Sequence, residues 1–406
     1  MPFNHVTNRA LAVGLLLLAL AFPGFAQEPT VILISLDGFR NDYIDKAPAP
    51  NLHLLAKEGV RVSAMKPVFP SKTFPNHYSL VTGLLPVNHG IVSNTIFDPT
   101  TNSWFRISDS NAVRDSRWWW GEPIWVTAVK QGKKSACYFW VGSEAEVGSV
   151  RPTYWMPYKH TTPHRERVNQ VFAWLDLPAD KRPSVITLYF SDTDDAGHRF
   201  GPESPEIVAA IGKVDSAIGM LVDGLRERGI FDATNVIVVS DHGMAPTDSS
   251  RLIYWNTAVD PTNVMTVEEG PLLTLNAPAD SVAPMVARLN TVSPHMKAYA
   301  ADDLPKRLQY HDNFRLPSIV CLADEEWLIV RQNPSRPPRP GGGTHGYDND
   351  APTMQATFIA RGPAFKQGVV VRSLSALDVY PMMAKILGLK PAKNDGSLDE
   401  ARAVLR

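Results

Sequence analysis

Cysteine is scarce: the 406 residues include two, Cys137 and Cys321. Two thiols are too few for a disulfide framework or a thiolate metal site. In an oxidising compartment they could pair, but each also stands in an apolar run, where buried free cysteine is common. An excess of one charge is missing as well, since 40 lysines and arginines face 41 aspartates and glutamates. That balance argues against wholesale binding to a nucleic-acid duplex or an acidic membrane surface. Beyond the first residues no apolar run reaches the about 20 residues needed to span a bilayer, and no internal repeat is visible.

The one long apolar run, Leu11 to Phe22, lies at the beginning. Arg9 supplies a positive charge ahead of it, and Gly24-Phe25-Ala26 offers small residues where a signal peptidase reads. The competing reading is a single membrane anchor, for which the run is short. The expectation is a signal peptide over 1–26, cleaved after Ala26. The remainder is then exported, periplasmic or secreted, with no membrane span.

From residue 27 onward the pattern alternates. Val31 to Leu36, Val185 to Phe190 and Val236 to Ser240 are near-continuous apolar runs, as expected of central strands buried on both faces. Between the second and third, Ile207, Ile211, Val214, Ile218, Leu221 and Leu225 recur at helical spacing, with Gly229 just past the end. Strand, helix, strand in this order predicts an α/β fold with a mostly parallel central sheet flanked by helices. The pattern then changes. Leu272 to Leu275, a helix from about Asp280 to Leu289, Ile319 to Leu322 and Trp327 to Val330 predict a small α+β lobe inserted over about 245–333. Pro334 to Gly343 reads as loop, Gln355 to Ala360 as a strand returning to the core, and Ala376 to Leu387 as a closing helix. Trp118-Trp119-Trp120 reads as packing or as an exposed recognition edge.

Each of the three buried strands runs into an aspartate: Asp37, the Asp192-Thr193-Asp194 stretch, and Asp241. In an open parallel sheet the crevice beyond the carboxyl ends of the strands is the usual place for a site. Three carboxylates converging there repel one another and resist desolvation unless cations neutralise them. Histidines stand at ligand-like spacings. Asp194-x-x-x-His198 places an oxygen and a nitrogen on one loop, Asp241-His242 is an adjacent pair, and His345 sits in Gly343-Thr344-His345-Gly346-Tyr347. Mixed carboxylate and imidazole suits Zn²⁺ better than Mg²⁺ or Ca²⁺. Thr73, just before Phe74-Pro75, falls at or just before a helix N-terminus, where an anion is favoured.

Together these segments resemble the nucleotide pyrophosphatase/phosphodiesterase family of the alkaline phosphatase superfamily. The resemblance runs over nearly the whole chain after residue 27. It is carried by Leu36-Asp37-Gly38-Phe39-Arg40, Lys72-Thr73-Phe74-Pro75-Asn76-His77-Tyr78, His89-Gly90-Ile91-Val92-x-Asn94, Asp194-x-x-Gly197-His198, Ser240-Asp241-His242-Gly243-Met244 and the His345 segment. It implies an alkaline phosphatase-like fold and two Zn²⁺ ions. One would be held by Asp194, His198 and His345, the other by Asp37, Asp241, His242 and the Thr73 oxygen. Where the family commonly has proline before its aspartate, Thr193 stands here, which makes Asp192 and Asp195 rivals, but the three-residue gap to His198 favours Asp194. His77, His89 and Arg40 read as supporting residues.

The resemblance further implies attack by Thr73, a phosphothreonine intermediate, and stabilisation of a non-bridging oxygen by the Thr73 amide and the Asn94 side chain. Phe74 and Tyr158 are expected to form an aromatic slot for a nucleobase, with Tyr189 as a third candidate. The expected activity is hydrolysis of nucleotide diesters or anhydrides, releasing nucleoside 5′-monophosphates. Alternatives are a phosphodiesterase for a lipid or choline head group, a phosphomonoesterase, or an inactive binding protein of the same fold. The lack of a Cys-x-Pro-x-Arg or Ser-x-Pro-x-Arg motif argues against a sulfatase.

Overall fold

The strand Thr30–Leu36 sits in the middle of the main sheet because it can be buried on both sides. Val31 and Leu33 pack into the core on one face, and Ile32, Ile34 and Leu36 into the core on the other. That alternation uses the two-residue period of a strand and leaves no polar face to show to water. The computed structural model describes residues 28–333 and 341–406. The expected signal peptide lies outside these, as do residues 334–340 of the expected proline- and glycine-rich loop.

Eight strands form the sheet, in the order Val369–Ser375, Val60–Lys66, Ala356–Arg361, Thr234–Val239, Thr30–Leu36, Val185–Phe190, Ser135–Tyr138 and Tyr154–Met156. Ala356–Arg361 is antiparallel to both neighbours, and the other pairings are parallel. The helix Pro205–Glu227 covers one face, burying Ile207, Ile211, Val214, Ile218, Leu221 and Leu225. Ser204 Oγ accepts from Ile207 N at its start, and the chain leaves it through Gly229 at φ +65°. The closing helix is shorter than expected, Val379–Ile386, preceded by one 3₁₀ turn.

A second sheet, wholly antiparallel, runs Met265–Glu268, Leu272–Asn276, Ile319–Ala323, Met296–Ala300. With the helix Ala279–Leu289 it encloses a separate small core that includes Leu273, Leu275, Leu289, Ile319 and Cys321. Leu328–Val330 stays outside this sheet and pairs with Leu252–Tyr254. Cys137 and Cys321 are both buried and unpaired, in different sheets. Trp118 and Trp119 are buried, which makes them packing residues. Trp120 is partly exposed and lies against Phe314, ring centres 5.8 Å apart. No helix among the described residues is long and apolar enough to cross a membrane.

Candidate active site

Strand register decides which side chains meet. Leu36 is level with Phe190 and Ser35 with Val239, so three carboxyl ends stop together. Asp37 follows the first, Ser191 the second, and Ser240-Asp241 the third. Gly38 makes the turn after Asp37 at φ +62°, and a Cβ there would stand 3.1 Å from Asp194. Both the left-handed conformation and the close approach call for glycine.

Asp194 and His198 differ from expectation in one respect. They lie on a helix, Asp192–Phe200, rather than on a loop. Its first turn holds Asp192, Asp194 and Asp195 and its last turn His198 and Arg199, the arrangement the helix dipole favours. Four residues apart, Asp194 and His198 share a face. Asp194 Oδ1 is 3.4 Å from His198 Nε2 and 3.7 Å from His345 Nε2. The two rivals are turned elsewhere: Asp192 accepts from His164 and Lys213, and Asp195 from Ser191 Oγ. Thr193, in the place of the family's proline, donates its hydroxyl to the Asp37 carbonyl.

All three inward histidines point the same nitrogen at the centre. Nδ1 of His198 donates to the Gly343 carbonyl, Nδ1 of His242 to Gly243, and Nδ1 of His345 to Ser71, at 2.9–3.0 Å. A carbonyl accepts only, so Nδ1 carries a proton, and in the neutral ring Nε2 presents a lone pair toward the centre. His242 Nε2 stands 2.9 Å from Asp241 Oδ2, 3.6 Å from Asp37 Oδ1 and 3.3 Å from Thr73 Oγ1. Asp241 and His242 attract as an ion pair: burial opposes it, but the Asp241 charge raises the His242 imidazole above its ordinary range, and His242 and then His77 hold the buried Asp241 carboxyl well below its own. Asp37 Oδ1, Asp194 Oδ1 and Asp241 Oδ2 are buried without a hydrogen-bond donor.

Burial, then the charges of Asp241 and Asp194, pushes the Asp37 carboxyl well above its ordinary range, and burial pushes Asp194 up. Burial and the neighbouring His242 and His198 hold His345 well below, so it is a neutral donor. Buried acceptors facing one another are stable only around a cation. Among the described residues three groups meet the spacing for one: Asp194, His198 and His345; Asp37, Asp194 and His242; and Asp37, His77 and Asp241. His77 also lies near Asp37 and Asp241. Its Nδ1 faces the Thr73 carbonyl at 2.9 Å and its Nε2 the Ser35 hydroxyl at 2.7 Å, so both nitrogens are engaged by protein. His89 is buried among Ser79, Pro75 and Ile91, and Arg40 ties Met244 to Asp42 and Glu203.

Thr73 opens the helix Thr73–Thr82, with Lys72 at the capping position. Its hydroxyl does not cap the helix but faces His242. The next amide, Phe74 N, donates to Asn94 Oδ1 at 2.9 Å. That bond orients the Asn94 amide, oxygen toward the helix terminus and NH₂ away from it.

Beside this cluster opens a cavity of about 460 Å³, lined at one end by Asp37, Thr73 and Asp194 and further out by Phe74, Phe139, Tyr158 and Tyr189. Phe74 is backed by Phe105 and Trp119, ring centres 5.9 and 6.2 Å away. Tyr158 is exposed and leans on Phe139 at 5.3 Å. Tyr189 belongs mainly to the other end, because its hydroxyl donates to Asp37 Oδ2 at 2.5 Å. Sequence reasoning missed that bond. It also missed Arg114, Glu144, Phe139 and Trp140 in the lining; the last two continue the apolar run that holds Cys137, and no motif marks any of the four.

The profile of a family described as type I phosphodiesterase/nucleotide pyrophosphatase matches residues 31–348. The chain is 41% identical to a venom phosphodiesterase, CdcPDE, of Crotalus durissus collilineatus over 92% of this chain and 46% of that protein. It is 39% identical to the bis(5′-adenosyl)-triphosphatase enpp4 of Xenopus laevis, over 94% of this chain and 83% of that one. The chain thus spans about half the length of the venom relatives it matches. Among solved structures, murine ectonucleotide pyrophosphatase/phosphodiesterase 5, an inactive threonine-to-alanine variant in complex with AMP, superposes with a TM-score of 0.89 at 32% identity. That match covers 93% of this chain and all of the other.

Proposed function

The chain belongs to the type I phosphodiesterase/nucleotide pyrophosphatase family, and from that premise we propose that it is an exported two-zinc hydrolase that cleaves nucleotide diesters and anhydrides to nucleoside 5′-monophosphates. The observation that carries this reading is one cavity that opens beside a cation-demanding acid–imidazole cluster, reaching it at Asp37, Thr73 and Asp194, and is lined further out by the rings of Phe74 and Tyr158. Export rests on the first 26 residues of the sequence.

Asp194, His198 and His345 would hold one zinc ion, and Asp37, Asp241, His242 and Thr73 the other. Imidazole nitrogens mixed with carboxylate oxygens suit zinc, and the donorless buried oxygens fit a bound cation. When bound, the two ions supply Lewis acidity that offsets carboxylate repulsion and draws charge from the phosphoryl oxygens. The residues of the chain do the rest. Thr73 Oγ1 attacks phosphorus from a helix N-terminus, where charge on the phosphate is favoured. The P–Oγ1 bond forms as the bond to the departing oxygen breaks, and that oxygen leaves with a proton. Water then cleaves the phosphothreonine, returns a proton to Oγ1 and frees the monophosphate. Asn94, held by Phe74 N, donates from its NH₂ to a non-bridging oxygen. Tyr189 donates to Asp37 and keeps its second oxygen aimed inward. Phe74 and Tyr158 take the base between them, by stacking that tolerates any base.

An inactivating threonine-to-alanine change and bound AMP in the murine neighbour support a threonine-dependent reaction on nucleotides. The test is a panel of dinucleoside polyphosphates, nucleoside triphosphates, cyclic dinucleotides and glycerophosphocholine on purified protein, with metal content and product identified. Two equivalents of zinc and nucleoside 5′-monophosphate products are expected. Exclusive turnover of glycerophosphocholine would replace the nucleotide by a lipid head group, and no turnover with zinc bound would make the chain a binder.

A further inference from the structure

Glu268 lies outside the metal cluster and the cavity lining, on the edge strand Met265–Glu268 of the second sheet. Both its carboxylate oxygens are nevertheless engaged across the junction with the main domain. Oε1 accepts from Lys72 Nζ, and Oε2 accepts from Ser93 Oγ at 2.7 Å. Lys72 directly precedes Thr73, and Ser93 directly precedes Asn94. The ion pair is well shielded, with 9% of the lysine side chain and 12% of the glutamate exposed.

The surroundings leave Lys72 little freedom. Its stem runs over Gly346, where an added Cβ would stand 2.7 Å from Lys72 Cε. Ser71 is held from the other side, its carbonyl by His345 Nδ1 and its hydroxyl by donation to the Tyr347 carbonyl. A buried Lys–Glu pair is a poor stabiliser, because desolvation offsets most of the attraction. A lysine at a helix N-terminus also opposes the dipole. Apolar residues would dock the lobe at less cost. What the carboxylate provides is register, since one rigid group fixes the positions of two separate segments.

We propose that Glu268 is a positioning residue for the reaction: through Lys72 and Ser93 it holds Thr73 and Asn94 in a fixed mutual geometry, so that the inserted lobe takes part in catalysis without touching substrate. The inference rests on the roles proposed above for Thr73 and Asn94. Misplacing reacting groups by about 1 Å costs on the order of a hundredfold in rate.

The test uses Glu268→Ala, Glu268→Gln and Ser93→Ala in the full chain, with Thr73→Ala and Asn94→Ala as references. For each, kcat and KM on thymidine 5′-p-nitrophenyl phosphate, bound zinc and melting temperature are measured. Glu268→Ala is expected to lower kcat about 10- to 100-fold, with KM within about twofold and zinc retained. Glu268→Gln, which keeps one accepting oxygen, recovers part of the loss. Ser93→Ala leaves the Lys72–Glu268 contact in place, so it should lower kcat about three- to tenfold at unchanged melting temperature. Combined with Asn94→Ala it should add nothing further, because Ser93 acts through Asn94. Wild-type kcat in Glu268→Ala, a loss matched by lost zinc or lost stability, or full additivity of Ser93→Ala with Asn94→Ala overturns the proposal. Should Glu268→Ala not fold, the Ser93→Ala pair decides alone. Activity retained in Thr73→Ala would overturn the functional reading, and this inference with it. Activity lost there but intact in the Glu268 and Ser93 variants overturns this inference alone.

Discussion

In the acid–imidazole cluster beside the cavity Asp37, Asp241 and His242 are at most 1% exposed, whereas Tyr158 in the cavity's aromatic lining exposes 47% of its surface. The difference extends to how each end is held. Asp37 and Asp241 follow paired strands of the central sheet, and His198, His242 and His345 are each tied through Nδ1 to a backbone carbonyl. The far end is made of rings leaning edge-on against one another: Phe74 on Phe105, Phe139 against Tyr158, and Tyr158 against Tyr189. Backbone-anchored polar groups tolerate little displacement, while aromatic contacts adjust. The comparison therefore separates chemistry from selection. A change at the buried end should affect every substrate, and a change at the aromatic end only those that carry a base.

The sharpest way to break that division is Thr73→Ala. It should lower turnover of every phosphate ester by on the order of a thousandfold or more while most zinc stays bound, because six proposed side-chain ligands remain. Kinetics and metal analysis on the same preparation check it, and near-normal turnover would remove the nucleophile assignment. Next in size is the contrast between esters. A monoester carries one more negative charge on its phosphoryl group, and the residues after Thr73 provide no arginine to meet it, only Phe74-Pro75-Asn76-His77-Tyr78. Bis-p-nitrophenyl phosphate should be hydrolysed at least about a hundredfold more efficiently than p-nitrophenyl phosphate, or roughly 2.7 kcal/mol in the transition state. Equal kcat/KM values would favour a phosphomonoesterase.

Phe74→Ala addresses the other end. It should reduce kcat/KM for nucleotides by about 10- to 100-fold, in line with the 1–3 kcal/mol of one stacked base, and spare a base-free p-nitrophenyl diester. Parallel losses on both substrates would assign Phe74 to packing against Phe105 and Trp119. The smallest effect is expected from Tyr189→Phe, which keeps the ring and removes the donor to Asp37. A loss of about three- to tenfold, equal on nucleotide and base-free diester, would place this tyrosine with the buried end. A loss confined to nucleotides would return it to the base slot.

The central strands were legible because burial on both faces writes a continuous apolar run. Val60–Lys66 was not, since its residues alternate in burial, and Val369–Ser375 shows mostly exposed or half-buried positions at the edge of the sheet. Ser135–Tyr138 and Tyr154–Met156 are too short to carry a period. The site was legible for a related reason. Its acidic and imidazole residues stand directly after those apolar runs or in glycine-flanked motifs, so position and chemistry coincide. Glu144, Arg114 and Phe139 have no such context. They reach the cavity through loops and a five-residue helix that local pattern does not mark.

The kinds of side chain that gather, carboxylate, imidazole and one hydroxyl at a helix start, were settled by the sequence itself, because short motifs and strand ends are local properties. The three-residue gap to His198 favoured Asp194 as the aspartate that faces inward, and the turn of the helix fixes it. On a helix successive residues turn by about 100°, so of Asp192, Asp194 and Asp195 one meets His198 and His345 while the others meet Lys213 and Ser191. The proton positions on the three histidines, the Tyr189 hydroxyl on Asp37 and the reach of Glu268 to Lys72 and Ser93 belong to the tertiary structure alone. Each is a contact between residues distant in the chain, and its existence depends on sheet register and on how the inserted lobe docks, quantities that no local stretch of sequence encodes.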